Sequence, residues 1–285
     1  IVALPTDPGG SGEAAATVLS GRLRRDPAAF DARVLARLLF LAAGVTRVSH
    51  PRGGGDPTWF RAAMSAGNLH PIEVYVVCDR LGEVPAGVHH FAPLEVGLTT
   101  LREGDHRGVL AAATVAPEVA AAPCGLVLTG IPFRTAWKYG ERGYRHLFWD
   151  AGTMVGNLLA LAEAHRLAAR VYVAFVDRAV AELIGADGVD ELALAVVTIG
   201  RGDAQSPAVA AAEPIAGLDV MTAPVAPPPI RFPLLQEAHD DGRLGDAGAV
   251  PTWRAAAASL GLPTLDELDV PTRTGAESLE DVILR

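Results

Sequence analysis

Two short stretches of the sequence carry side chains that could take part in chemistry. In the first, Arg61-Ala62-Ala63-Met64-Ser65-Ala66-Gly67-Asn68-Leu69-His70-Pro71, a hydroxyl, a glycine and an amide follow one another with little bulk between them. Such a loop lets backbone and small polar groups come close to a flat polar ring. In the second, Trp137-Lys138-Tyr139-Gly140-Glu141-Arg142-Gly143-Tyr144-Arg145, an amine and a phenol stand side by side, and either can give or take a proton. Lys138 is the single lysine among 24 basic residues. Lysine can be made to release its proton and arginine cannot, so a lone lysine in an arginine background invites a chemical reading. Glu141, Arg142 and Arg145 would act on the pair electrostatically, and two arginines at a positive helix end call for an anionic partner. Plainer readings stand beside these: an ordinary turn, solvated helix-end charges, and mutational bias in the lysine count. His70 reads as a structural hydrogen-bonding residue.

These stretches have to be held by the elements around them. Asp26-Pro27 reads as a helix opening, with Val34, Leu35, Leu38, Leu39 and Leu41 at helical spacing until Gly44. His50 to Asp56 is a Pro/Gly loop, and the first stretch feeds a buried strand at Glu73 to Cys78. Further strands are expected at Val88 to Phe91, Gly125 to Thr129, Arg170 to Phe175 and Glu191 to Ile199, with helices at Asp105 to Ala112 and Asp177 to Ile184. From Tyr144 to Arg166 apolar residues surround the axis so widely that this helix must be nearly enclosed at the centre of the domain, with a partner completing its cover. The order is α+β, a mixed or antiparallel sheet flanked by helices, and no internal repeat stands out.

Residues 1–25 read as an irregular arm carrying Arg22, Arg24 and Arg25, residues 26–204 as the main domain, and 205–285 as an Ala/Pro-rich linker and extension. The extension holds a helix near Thr252 to Leu260 and a helix start at Ser278 that leads toward a second domain. Half the residues are apolar, enough for a substantial core, and the net charge of −9 leaves no broad basic surface for nucleic acid. No apolar run is long enough to span a bilayer. Cys78 and Cys124 fit neither a zinc site nor a disulfide framework, so the expected setting is cytoplasmic.

Together the two stretches resemble the nitroreductase superfamily of flavoenzymes, and within it the SagB-like branch of azoline dehydrogenases and tandem nitroreductase-like proteins. The branch's Pro-Ser-Ser/Ala-Gly-Asn/Ala-Leu-Tyr/His-Pro loop before a Glu-containing strand stands here as Met64 to Glu73, with only the leading proline changed. Its Lys-Tyr, Gly-Glu-Arg, Tyr-Arg and Asp-Ala-Gly pattern stands as Lys138 to Arg145 and Asp150-Ala151-Gly152. The similarity runs from Leu35 to Arg201 and implies a nitroreductase-like fold that binds FMN at a subunit interface. Arg61, Ser65, Ala66, Gly67 and Asn68 would lie along the flavin, Val173, Ala174 and Phe175 near the ring edge, and Arg201 near the phosphate. Lys138 and Tyr139 match the pair that assists azoline oxidation. The branch's N-terminal Arg-Arg-Ser-x-Arg grip on the phosphate is replaced by Arg22, Leu23, Arg24, Arg25 and Asp26, without a serine.

The implied activity is FMN-dependent dehydrogenation of an azoline-type heterocycle on a peptide or carrier-bound substrate, in a homodimer or tandem pseudo-dimer. An NAD(P)H-dependent nitro or quinone reductase, and a noncatalytic half that completes a partner's site, are the alternatives.

Overall fold

The computed structural model describes residues 1–5, 10–21, 23, 30–200, 216–218, 230–259 and 277–284. Along the chain its elements run Val2–Ala3 (β1), Ala15–Leu19 (α1), Ala32–Ala43 (α2), Val45–Ser49 (β2), Thr58–Arg61 (β3), Ile72–Cys78 (β4), Gly87–Ala92 (β5), Gly97–Glu103 (β6), Arg107–Thr114 (α3), Glu118–Ala121 (α4), Cys124–Gly130 (β7), Pro132–Tyr139 (α5), Gly143–Ala164 (α6), Ala169–Tyr172 (β8), Asp177–Ile184 (α7), Leu192–Ile199 (β9), Pro233–Gly242 (α8), Ala249–Ala258 (α9) and Leu279–Ile283 (α10).

Seven strands form one sheet in the order β1-β6-β5-β4-β7-β9-β8, and all its pairings are antiparallel. The central strand β4 is buried along its whole length. Because successive side chains point to opposite faces, its residues divide between two cores. Ile72, Val74, Val76 and Cys78 join the core that contains α2 and α6, whereas Tyr75 and Val77 join the one that contains α3 and α7. A strand buried on both faces has no regular polar alternation, which is why β7 and β9 read as mainly apolar runs and β4 does so apart from Glu73.

Several expectations need correction. The Asp26-Pro27 opening lies outside the described residues; the helix that carries the Leu35–Leu41 periodicity begins at Ala32, and the Asp31 carboxylate caps it by accepting from the Arg33 and Val34 amides, each at 2.9 Å. The arm of residues 1–25 is not wholly irregular, since β1 pairs with β6 and α1 buries Ala15 and Val18. Lys138 and Tyr139 do not sit in a loop but close the last turn of α5, which starts at Pro132. The strand expected to reach Phe175 ends at Tyr172. The hairpin β2–β3 and the strand β6 carry too many polar and small residues to signal themselves in the sequence.

The central helix α6 is long and well packed but not enclosed by this chain. Phe148, Trp149, Gly152, Gly156 and Leu159 form an exposed stripe at helical spacing along it. Beyond β9, residues 205–215 and 219–229 lie outside the described residues. The extension holds two helices before Leu260 rather than one, and its Leu235, Val250 and Leu279 are buried. Among the described residues no helix is long and apolar enough to cross a membrane. The cap on α2 is open to direct test. Asp31→Ala should cost about 0.5–2 kcal/mol, read as a lower denaturant midpoint, while Asp31→Asn should recover most of the loss.

Candidate functional site

The loop between β3 and β4 is fastened to α6 by one carboxylate. Asp150, buried on α6, accepts a hydrogen bond from the Ser65 hydroxyl at 2.6 Å and another from the Ala66 amide at 3.1 Å. Ser65 Oγ in turn accepts the His70 amide at 2.8 Å, so one hydroxyl ties both ends of the loop together. Asn68 donates from Nδ2 to the Trp59 carbonyl at 2.8 Å, and its Oδ1 lies 2.8 Å from His70 Nε2. Burial, helped by the Arg61 charge, lowers the His70 pKa to about 4, so at neutral pH Nε2–H is the donor to Asn68. Gly67, Asn68 and His70 all have positive φ, a conformation that Gly adopts freely and that Asn tolerates.

The two stretches singled out in the sequence meet at Gly67. A Cβ added to this exposed residue would lie 2.6 Å from Tyr139 Oη and 2.7 Å from Lys138 Nζ. Glycine lets the amine and the phenol close on the loop backbone; any larger residue would push them away. The corner between α5 and α6 sets their direction, and it too needs a glycine: a Cβ at Gly143 would be 2.9 Å from the Ala136 backbone. The Tyr139 ring packs on His146 with centroids 4.3 Å apart, and His146 meets Trp149 edge-on at 4.9 Å. His146 is buried, and its two ring nitrogens have no hydrogen-bond partner among the described residues. Glu141 is not directed at Lys138; its carboxylate accepts the Leu235 amide at 2.8 Å, capping α8.

Below the loop lies a second polar group. Arg61 donates to the Ile72 carbonyl at 3.0 Å, and burial lowers its pKa. Glu73 is paired with Arg134 and with His90, whose Nε2 lies 2.9 Å from Glu73 Oε2. Burial opposes its ionisation, but the hydrogen bond from His90 and the charge and hydrogen bond of Arg134 outweigh it and hold the pKa near 2. Arg134 also donates to the His70 carbonyl at 3.1 Å, linking this ion pair to the loop. Burial pushes the Cys78 thiol up to about 12 and the Cys124 thiol upward as well, so neither is a nucleophile at neutral pH. Among the described residues no group of three or more His, Cys, Asp or Glu could hold a metal ion.

Residues 26–201 match the nitroreductase family model. The chain belongs to the nitroreductase family. It is 28% identical over 170 residues to MJ1384 of Methanocaldococcus jannaschii, described as a nitroreductase, covering 59% of this chain and 80% of that one. A nitroreductase structure from Anabaena variabilis is similar over 80% of this chain at 25% identity and a TM-score of 0.61, yet the chain spans only 46% of that protein's length. One from Ralstonia eutropha covers 72% of this chain and 90% of its own at 26% identity and a TM-score of 0.56. The Escherichia coli microcin synthetase McbBCD complex, with truncated pro-MccB17 bound, shares the fold over 66% of this chain and 73% of its own, at 23% identity and a TM-score of 0.52. The family model and these likenesses place the chain in the nitroreductase family, with its α+β fold.

Of the residues assigned to a flavin by resemblance, the structure brings Ser65, Ala66, Gly67 and Asn68 into one loop against Lys138 and Tyr139. Arg61 lies beneath that loop with its guanidinium on backbone. Val173 is exposed beyond β8, while Ala174 and Phe175 are buried, and none of the hydrogen bonds described for the Ser65 loop reaches them. Arg201 and the arginines at 22, 24 and 25 lie outside the described residues. Trp59 and His146 were not singled out, and Asp150 entered only as part of the Asp150-Ala151-Gly152 motif, with no role assigned. Asp150 had a visible signal, a carboxylate among the apolar positions Leu147, Ala151 and Met154 of a core-facing helix stripe.

Two outcomes follow from this geometry. Gly67→Ala should lower stability by about 1–2 kcal/mol through its left-handed backbone, and displacement of Lys138 should show as faster acylation of that lysine in peptide mapping. Glu73 has a depressed pKa in the folded state, so its contribution is fully present above the ordinary glutamate range of ~4.3 and is lost as pH falls through about 2. Glu73→Gln should therefore be less stable at neutral pH and show a flatter acid limb in that window.

Proposed function

We propose that the chain is an FMN-dependent oxidoreductase that dehydrogenates an azoline-type heterocycle carried on a peptide or other carrier. The observation that carries this reading is the convergence of the single lysine and its neighbouring tyrosine on Gly67. The amine and the phenol lie against the backbone of the loop that the resemblance assigns to the flavin, so a ring that displaced them from Gly67 would have a proton-transferring pair at its edge. Ser65, Ala66, Gly67 and Asn68 would hold FMN on this side, and Arg201 would serve its phosphate. Bound there, FMN supplies the two-electron acceptor that no protein side chain can provide.

Dehydrogenation takes a hydride equivalent and a proton from the substrate, and the chain's own share is the proton. Lys138 Nζ and Tyr139 Oη are the groups placed to accept it. The stacking of Tyr139 on His146 fixes the phenol ring, and Asp150 fixes the loop opposite. The same fold in a complex that has truncated pro-MccB17 bound agrees with a carrier-borne substrate. The exposed stripe on α6 supports a paired assembly, a homodimer or tandem pseudo-dimer, because a face with two aromatic residues and two glycines admits close helix packing.

One observation favours a noncatalytic half instead. The Ser65 hydroxyl and both polar ends of the Asn68 amide already have protein partners. An absorption spectrum separates the two: flavin bands support the oxidoreductase, and colourless protein that cannot be reconstituted with FMN supports the half.

Lys138→Arg then tests the chemistry, since arginine keeps the charge but does not release its proton. The variant should retain FMN and lose oxidation of a thiazoline-containing peptide by ~10²-fold or more. Full oxidation by this variant would remove the lysine from the mechanism.

A further inference from the structure

The corner that brings Lys138 and Tyr139 to Gly67 is made by two glycines. Gly140 follows Tyr139 directly with φ 58° and ψ −148°, backbone territory kept almost wholly to glycine. Gly143 packs against the Ala136 backbone. Glycine permits such a turn without enforcing it, because the freedom that admits this conformation also admits others. On the buried side α5 and α6 are tied by the Thr135 hydroxyl, which lies 3.2 Å from both the Pro132 and the Gly143 carbonyls and has one proton for the two. Lys138 stands on the other side of the corner, exposed.

A second tie comes from the extension. Gly140–Arg142 form a short 3-10 turn, and Glu141 on it accepts the Leu235 amide at 2.8 Å. That amide belongs to the first turn of α8, whose own N-cap residue, Phe232, supplies no side-chain hydrogen bond. Glu141 therefore gives α8 both an acceptor and a negative charge at its positive end. Leu235 is buried in the core around α2 and α6, with Phe232 packed against that core, so the amide is presented from a fixed place. About one turn further along, Tyr144 of α6 meets the buried His239 of α8 edge-on, with ring centroids 6.4 Å apart. Leu235 and His239 are four residues apart, so one face of α8 lies along the corner and the first turn of α6. This helix comes after residue 201, where the match to the family model ends.

We propose that α8 clamps this corner and that Glu141, through the Leu235 amide, is a positioning residue for Lys138 and Tyr139. Its carboxylate bonds to neither of them; it fixes to α8 the backbone from which both side chains reach Gly67. Without the tie the corner keeps the shared Thr135 hydroxyl and the stacking of Tyr139 on His146, both on α5 and α6 themselves, and loses its hold from outside. Nζ and Oη then no longer converge on one point of the loop, and a displacement of about 1 Å is enough to slow a reaction by ~10²-fold. Only this kinetic consequence rests on the reading of Lys138 and Tyr139 as proton-transferring groups; the hold on Lys138 stands on the geometry alone.

Four variants of the full chain test the clamp. Glu141→Ala removes acceptor and charge, Glu141→Gln keeps an acceptor oxygen of the same reach without the charge, and Glu141→Asp keeps the charge but is one methylene short. Asp31→Ala removes a helix cap outside this corner, on α2. Lys138 is the single lysine, so its acylation by acetic anhydride is read by peptide mapping apart from the N-terminal amine alone. The same proteins loaded with FMN are assayed for oxidation of a thiazoline-containing peptide. Glu141→Ala and Glu141→Asp should acylate Lys138 faster by ~3-fold or more, and lower kcat by ~10-fold or more with KM for the peptide unchanged. Glu141→Gln and Asp31→Ala should stay near wild type in both. If Glu141→Ala does not fold, the contrast between Asp and Gln at this position decides. Unchanged acylation in the Ala and Asp variants overturns the clamp. A Gln variant that behaves like Ala overturns it too, because the charge then acts on Lys138 directly, and so does an Asp31→Ala variant with the same changes, which would reflect general loss of stability. Faster acylation with full kcat overturns the positioning role if Lys138→Arg is inactive; if Lys138→Arg is fully active, the clamp stands and the proton-transfer reading falls. Protein that takes up no FMN rejects the oxidoreductase reading, and acylation alone then decides the clamp.

Discussion

Everything at the candidate site depends on a carboxylate taken out of water. Asp150 is buried on α6, where an unpaired carboxylate would be strongly disfavoured, and it is satisfied by the Ser65 hydroxyl and the Ala66 amide. Those are the two donors that a loop of small residues can bring close to a helix. The bond works in both directions: the loop meets the need of Asp150, and Asp150 holds the loop rigidly on the longest helix of the domain. The loop then carries Gly67 to the place where Lys138 and Tyr139 arrive from α5.

The second constraint is the balance of charge beneath that loop. Arg61 and Arg134 approach a single carboxylate, Glu73, on a central strand whose other residues are apolar. Without Glu73 two guanidinium groups would face a partly buried site unneutralised; without Arg134 the glutamate would lack its strongest charge partner. Arg61 and Arg134 also donate to the Ile72 and His70 carbonyls, so the charges that neutralise each other also fix the backbone leading from the loop into β4. Burial, helped by the Arg61 charge, keeps His70 neutral and confines it to hydrogen bonding, as its type and place in the loop implied.

A comparable division governs the outside of the molecule. The extension after β9 adds no core of its own in its described parts; Leu235 and Leu279 enter the core already formed around α2 and α6. Glu141 caps α8, Asp177 and Leu244 exchange two hydrogen bonds, and Arg254 donates to the Thr114 and Ala174 carbonyls, so polar groups on the domain fasten the extension at several points.

Residue type and local spacing determined much of this protein in advance. Short, mainly apolar runs marked β4, β7 and β9, as strands buried on both faces require, and Asp177 to Ile184 had the composition and length of a single amphipathic helix. The lone lysine and the small-residue loop were legible for the same reason: chemical type is a property of the residue. What the sequence did not show were features made by pairs distant along the chain. The β2–β3 hairpin, the Ser65–Asp150 bond and the Glu73–Arg134–His90 group depend on which groups meet after folding. Neither stretch revealed by itself that Gly67 faces Lys138 and Tyr139. Only the packing of α5 and α6 against the loop brings them within van der Waals range, and there the missing Cβ becomes a requirement.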